Sequence, residues 1–277
     1  MQYITRCSNA VTTRVEGPIK VLSSHLIAKS VRSKMCHDEI AALKFSRDLG
    51  IRVPVVHRVV EVDAEKHDYI IIMERIHGHT LEELWPSIGW WRTLLLAKQL
   101  RSYLQIMHSI TSMTAGGLSS GSVRSPWLES LYAPAPHSSP AAFTGYLNWW
   151  LLSCRPYRFK ARTDLAFEHM PNHIFIHQDL APRNLIVDAH NNLWVVDWEY
   201  AGFYPPYMEY VNIDSSSMAW LNGSSWRARL AKWRWALLRW IAAGPPWHHI
   251  KYWKGLAEIH RRSCIYRLDR TPYSEQI

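Results

Sequence analysis

Ile174-Phe175-Ile176-His177-Gln178-Asp179-Leu180-Ala181-Pro182-Arg183-Asn184-Leu185-Ile186-Val187-Asp188 and, two residues on, Asn191-Asn192-Leu193-Trp194-Val195-Val196-Asp197-Trp198-Glu199 form the stretch whose reading decides the fold. Two short apolar runs, 185–187 and 193–196, flank an Asp-Ala-His-Asn-Asn turn, the pattern of a β-hairpin. A hairpin returns its ends to one place, so Asn184 at one mouth and Asp197 at the other can reach the same ion. Mg²⁺ takes hard oxygen ligands at roughly 2.1 Å, so one amide and one carboxylate suit it when phosphates and water complete the shell. Asp179 stands in the loop just before, placed to accept the proton of an attacking hydroxyl. An ordinary hairpin with solvated ends does not require three polar groups at this joint spacing.

The spacing His177-x-Asp179-x-x-x-x-Asn184, followed by Asp197 after a hydrophobic strand, resembles the kinase signature. The version here is similar to the aminoglycoside phosphotransferase and choline kinase-like family of the protein-kinase-like superfamily. Asp197-Trp198-Glu199 stands where protein kinases carry Asp-Phe-Gly, and no Ala-Pro-Glu follows. The resemblance implies an α+β, protein-kinase-like two-lobed fold. A small β-rich lobe would span 1–76 and a larger, mainly helical lobe 77–277, together one phosphotransferase domain. It implies ATP and Mg²⁺ as cofactors and a small-molecule hydroxyl as acceptor. Asp179 would be the catalytic base, and Asn184 and Asp197 the metal ligands. Lys29, on an early strand, would grip the nucleotide phosphates with Glu39 as its partner. Met73, Glu74 and Ile76 would line the interlobe hinge, where backbone groups meet the nucleobase.

The residues themselves leave alternatives beside these roles. Lys29 also suits an edge-protecting charge on a strand, and Asp38 competes with Glu39 or caps the helix. His177 braces the loop rather than moving protons. Arg183 neutralises phosphate or is simply solvated, and Glu199 meets a second metal ion or a substrate amine, or orients its neighbours. The chain departs from the family where a phosphate-covering turn belongs. The only glycine before Lys29 is Gly17, followed by Pro18, and no G-x-G-x-x-G occurs. Ser23-Ser24 is the turn expected to cradle phosphate instead. A catalytically weak scaffold is the rival reading that this departure favours. The acceptor is left open; Glu199, Glu209 and Asp214 are the acidic residues that could line a pocket for a cationic one.

Working outward, Ile19–Leu22 and Leu26–Val31 read as strands, 37–49 as a helix ended by Gly50, and Val53–Val62 and Tyr69–Met73 as a strand pair. Thr80-x-x-Glu83 is a capping box for Leu81–Trp85. A long helix is expected over Trp91–Ser109, and 114–140 is a loop with one helical turn at Trp127–Tyr132. Ala141–Cys154 is helical again. Two C-terminal helices are expected, at about 224–243 and 247–262.

Composition bounds the rest. With 277 residues, 48% of them apolar, the chain can bury a real core. No signal peptide or membrane span is apparent, and the four scattered cysteines suggest neither zinc nor a disulfide framework. A cytoplasmic protein without a membrane partner is expected. Formal charge is +9, and from Trp226 onward eleven Lys/Arg face only Glu258, Asp269 and Glu275. A basic, Trp-rich tail could bind nucleic acid through phosphates and stacking. The reading adopted is a helical face on the C-terminal lobe, with Trp226, Leu230, Trp233, Leu237, Leu238 and Ile241 near helical spacing and Arg and Lys between them, so nucleic acid is not the expected partner.

Overall fold

The computed structural model describes residues 19–63, 68–128, 132–154, 159–215, 225–245, 247 and 249–265. Strands β1 (Ile19–Val21), β2 (Leu26–Arg32), β3 (Val56–Asp63) and β4 (Asp68–Glu74) form an antiparallel sheet in the order β1-β2-β4-β3. β2 and β4 pair from Leu26↔Glu74 to Arg32↔Asp68, so Ala28, Ile71 and Met73 reach the inside while Ser30 is exposed. Helix α1 (Ser33–Asp48) follows β2 directly and packs Ala42 and Leu43 inward. It begins four residues before the predicted start but ends as read. Gly50, at φ 83°, donates to Arg47 O at 2.9 Å, and Ile51 N donates to Ser46 O at 3.0 Å. These are the paired bonds of a left-handed helix terminus, which glycine adopts without a Cβ penalty.

After the linker 75–77 the chain leaves this sheet. β5 (Gly78–Thr80) instead pairs with β9 (Leu185–Asp188), which pairs with β10 (Leu193–Val195). This is the predicted catalytic hairpin with a third strand added. The capping box is present: Thr80 Oγ1 accepts from Glu83 N at 3.2 Å, and Glu83 Oε2 accepts from Thr80 N at 3.0 Å, ahead of α2 (Leu81–Leu84). Helix α3 (Trp90–His108) runs beneath. β6 (Thr111–Ser112), β7 (Gly116–Gly117), β8 (His173–Ile176) and β11 (Gly202–Tyr204) make a second small sheet in the order β6-β8-β11-β7. Helix α4 (Pro140–Asn148) continues into a π-helical turn at Trp149–Ser153. Leu128 N donates to Ser125 O in a turn, and Tyr132 has 3-10 helical backbone; 129–131, in the middle of the expected helical turn, lie outside the described residues.

Three helices close the large lobe: α5 (Pro206–Ser215), α6 (Trp226–Ala243) and α7 (Ile250–Ile265). The helical face expected in α6 is buried only in part: Leu238 is inside and Ile241 packs against the core. The buried face of the helix is Ala228, Ala231, Trp235, Leu238 and Ala242, whereas Trp226, Leu230 and Trp233 are exposed. The helix carries two apolar stripes, and the alanine-rich one goes inward because small side chains let it approach α3 closely, with Trp235 edge-on to Trp85. The tail's positive charge is partly internal as well. Buried Arg234 donates to Trp85 O at 2.9 Å and to Ile88 O. Buried Arg262 donates to Trp150 O, Leu151 O, Cys154 O and Lys160 O at 2.7–3.2 Å, with Glu258 as its counter-ion. Each guanidinium satisfies carbonyls that a helix end or loop would otherwise bury unpaired.

Candidate active site

β8 delivers the loop that carries Asp179. The backbone N–H groups of His177 and Gln178 both donate to Glu209, at 2.7 and 3.1 Å, from the first turn of α5. Burial lifts the Glu209 carboxyl to about 7, against the two N–H bonds that favour its charge. Glu209 is 1% exposed, so it braces the loop from inside and does not line an acceptor pocket; nothing is described of the Asp214 side chain. Gln178 takes a left-handed φ of 67° and is tied by its amide to Arg124 O and Tyr200 O. His177 Nδ1 accepts from Asp179 N at 3.1 Å while Nε2 lies 3.1 Å from Val196 O, which requires the proton on Nε2. Burial pushes this imidazole down to about 4, so it is neutral and links the loop to the strand leading into Asp197.

The hairpin mouth is closed by Val196 N donating to Asn184 O at 3.0 Å. Asn184 turns its amide toward Asp179, donating to its Oδ2 at 2.8 Å and its backbone oxygen at 2.9 Å. Arg183 reaches both Asp179 oxygens, at 2.8 and 2.7 Å, from an exposed position. Asp179 is therefore oriented from two sides. Asp197 sits at φ 66°, a conformation that Asp tolerates better than most residues. Behind it Trp198 is buried, stacked on Phe175 at 6.0 Å and donating to Val195 O, so the aromatic after Asp197 anchors the turn.

Lys29 joins the two lobes. Its Nζ lies 2.7 Å from Glu39 Oε1, 2.6 Å from Asp197 Oδ1 and 4.0 Å from Glu199 Oε2. Burial opposes its charge, but Glu39 and Asp197 outweigh that and raise the ammonium above its usual pKa. Burial likewise lifts Glu39 to about 7 despite Lys29, and its second oxygen is buried without a hydrogen-bond partner. Burial and the adjacent Asp197 also raise Glu199.

Asp38 does not cap the helix; it lies within α1 and faces the other way. It accepts from Ser119 N and Ser120 N, both at 2.8 Å, from Ser120 Oγ at 2.6 Å, and from the Arg124 guanidinium. Successive helix residues point about 100° apart, so Asp38 and Glu39 serve the large lobe and Lys29 separately. Gly117 makes this approach possible: a Cβ there would lie 2.6 Å from the Asp38 carboxylate. The Ser119–Arg124 segment is the part of the site that sequence reasoning missed. The adjacent Asp38-Glu39 pair was its one visible signal.

The remaining predicted residues sit at the far end of the sheet. Met73 is buried beside Ile27, and Glu74 exchanges two bonds with Val55, through Glu74 N and Glu74 Oε2. Ile76 is half-buried in the linker. The Ser23-Ser24 turn belongs to this end too, since His25 O accepts from Arg75 N at 2.8 Å. The expectation that it cradles phosphate is corrected by register. Ile19, not the turn, lies opposite Lys29, so a phosphate-covering turn would precede Ile19. Gly17 and Pro18 lie outside the described residues.

No cluster of three or more His, Cys, Asp or Glu that could hold a metal occurs among the described residues. The donors at the hairpin mouth are the Asn184 amide and the Asp197 carboxylate, the latter one-third exposed. Such a sparse oxygen set fits Mg²⁺ held jointly with nucleotide phosphates better than an all-protein cage.

Residues 20–246 match the model of the phosphotransferase enzyme family. The chain belongs to that family. No curated protein sequence matches it significantly. Among solved structures, phosphotransferases of this kind superpose over nearly the whole chain. A thermostable mutant of aminoglycoside phosphotransferase APH(4)-Ia aligns with TM-score 0.56 at 12% identity, over 95% of this chain and 89% of that one. The GDP complex of aminoglycoside 2'-phosphotransferase-IIIa gives 0.56 at 12%, over 94% and 87%. APH(3'')-Id from Streptomyces rimosus, with ADP and streptomycin, gives 0.50 at 14%, over 85% and 87%. At such identities the likeness establishes the fold, which is protein-kinase-like.

Proposed function

We propose that this phosphotransferase moves the γ-phosphoryl of ATP to a hydroxyl of a small molecule. The observation that carries the reading is Lys29, held between Glu39 and Asp197 within 2.7 Å of each, with Asp197 at the hairpin mouth that also carries Asn184 and its partner Asp179. A lysine that only protected a strand edge would be exposed, and this one is 9% exposed. In this reading the lobe over 1–76 takes the nucleotide, with the base at Met73, Glu74 and Ile76, and the lobe over 77–277 supplies catalysis and the acceptor pocket. Lys29 neutralises the phosphates, Glu39 keeps Lys29 in place, and Asn184 and Asp197 would hold Mg²⁺, which when bound offsets charge on the phosphate oxygens. Asp179, aimed by Arg183 and Asn184, orients the acceptor hydroxyl and takes its proton. Little else is needed, because phosphoryl transfer is governed by positioning and electrostatics.

A thermal-shift titration tests it. Mg-ATP should stabilise the folded chain by ligand linkage, and the shift should need the metal. Asp197→Ala should lose the metal-dependent part and keep the fold. Absence of any shift at saturating Mg-ATP would overturn the enzymatic reading in favour of a kinase-like scaffold.

A further inference from the structure

The paired helices α3 and α6 carry an outer surface that the phosphotransferase reading does not use. Trp226, Trp233 and Trp240 are 69%, 71% and 51% exposed. Their seven-residue spacing sets them about 10.5 Å apart along one line, drifting only about 20° per step. Leu230 and Leu237 fill the gaps in that line. Arg234, by holding the carbonyls of Trp85 and Ile88, fixes the start of α3 beside the first half of α6. On the neighbouring α3, Trp91 is 81% exposed, and Leu94 and Leu95 are exposed too. Neither helix contains an Asp or Glu. Lys98, Arg101, Arg227, Arg229 and Lys232 are all exposed around the tryptophans.

We propose that this face docks on an anionic lipid surface, with α6 lying in the plane of the interface. A line of tryptophans with leucines on one side of a helix whose own charged residues are all cations suits the headgroup boundary, where indole rings partition and anionic lipids attract each Lys or Arg. Charge selects against a second copy of the chain. Pairing this face with itself would set arginines against arginines with no carboxylate to relieve them. Nucleic acid would use the rings and the cations, but it would leave Leu94, Leu95 and Leu230 without a function. The contact is peripheral: no helix among the described residues is long and apolar enough to cross a membrane.

Flotation of the full chain with phosphatidylcholine vesicles, with and without phosphatidylserine, tests the proposal. Binding should require phosphatidylserine and weaken with salt. The combined Trp226→Ser, Trp233→Ser and Trp240→Ser variant should lose about tenfold or more in partitioning. Arg227→Glu, Arg229→Glu and Lys232→Glu should each cost about fivefold or more. Both sets should keep the parent's melting temperature and Mg-ATP shift, since they touch neither core nor cleft. If the triple tryptophan variant fails to fold, Trp233→Ser alone and the charge variants carry the test. Equal binding with and without phosphatidylserine, or variants that bind like the parent, would overturn the proposal. So would a tryptophan-dependent dimer in sedimentation, or tryptophan-dependent binding to random single-stranded RNA that exceeds binding to vesicles.

Discussion

Asp179 and Lys29 answer different questions and can be separated by substitution. Asp179 meets Arg183 and Asn184 through side chains near the surface, so Asp179→Asn keeps volume and most hydrogen-bonding capacity. If it serves only the transferring hydroxyl, Mg-ATP affinity should stay within a few-fold while turnover falls roughly 10²-fold or more. ATP hydrolysis and equilibrium nucleotide binding, measured on one preparation, check this. Unchanged turnover would remove Asp179 from the mechanism. Lys29→Met should weaken nucleotide binding as well if Lys29 has the proposed role, in which phosphates would meet it before the transition state. It also strips the counter-charge from Glu39, which is 1% exposed, so a drop in melting temperature of the unliganded chain should accompany it. At this scale the sequence was informative where polar residues recur at a family's spacing. It was uninformative about Asp38, whose partners at Ser119, Ser120 and Arg124 lie more than eighty residues away and share no pattern with it.

Elements were legible where they carried a periodic pattern or, as in the four-residue α2, a capping signal. β2, β4, α1, α3 and the catalytic hairpin carry enough periodic positions to be read. Strands of two or three residues, such as β5, β6, β7 and β11, have no alternation to show and exist because longer neighbours offer them partners. α5 was hidden by Tyr204-Pro205-Pro206, which reads as loop. Pro206 is in fact its first residue, a place where proline's missing N–H costs nothing. The buried face of α6 was legible only in part, at Leu238 and Ile241, because two apolar stripes fit one periodicity and only packing chooses between them. Gly117 gives an element-level test. Gly117→Ala would push the loop off Asp38 and tilt α1, costing about 1–3 kcal/mol and weakening nucleotide binding together. Loss of stability with an unchanged Mg-ATP shift would mean that α1 is held without this contact. Arg262→Met should cost more, about 3–5 kcal/mol by urea unfolding, since it leaves four interior carbonyls without their donor, while Glu258 keeps Arg261.

Over the whole molecule, buried titratable groups set opposing pH dependences. Burial holds His108, His173 and His177 at about 4, and it lifts Glu39 and Glu209 to about 7. The histidines' contribution is present above their ordinary 6.5 and is lost as pH falls toward 4, because the unfolded chain takes protons that the folded one refuses. The glutamates act in reverse, with stability full below their ordinary 4.5 and lost as pH rises toward 7. Between these limits the three histidines oppose Glu39 and Glu209, and Glu199 is raised in the same sense as those two. Stability should therefore change little with pH, by less than about 1.4 kcal/mol per unit, the equivalent of one proton. Urea unfolding across this range measures the slope, and Glu209→Gln should shift it upward by about 1.4 kcal/mol per unit. A falling slope in the parent would show that the carboxylates dominate.

The Arg262 contact also gives the molecule a direction in time. The guanidinium that closes the carbonyls of Trp150, Leu151, Cys154 and Lys160 arrives 108 residues after Cys154. A ribosome adding about 5–20 residues per second needs roughly 5–20 s to cover that distance. Throughout that interval the aromatic segment at 143–154 is already made, but the donor that completes it is not. The first sheet has no such wait, since β1 to β4 pair among themselves. On the growing chain the small lobe should resist protease first, and the aromatic half of the large lobe only once α7 has emerged.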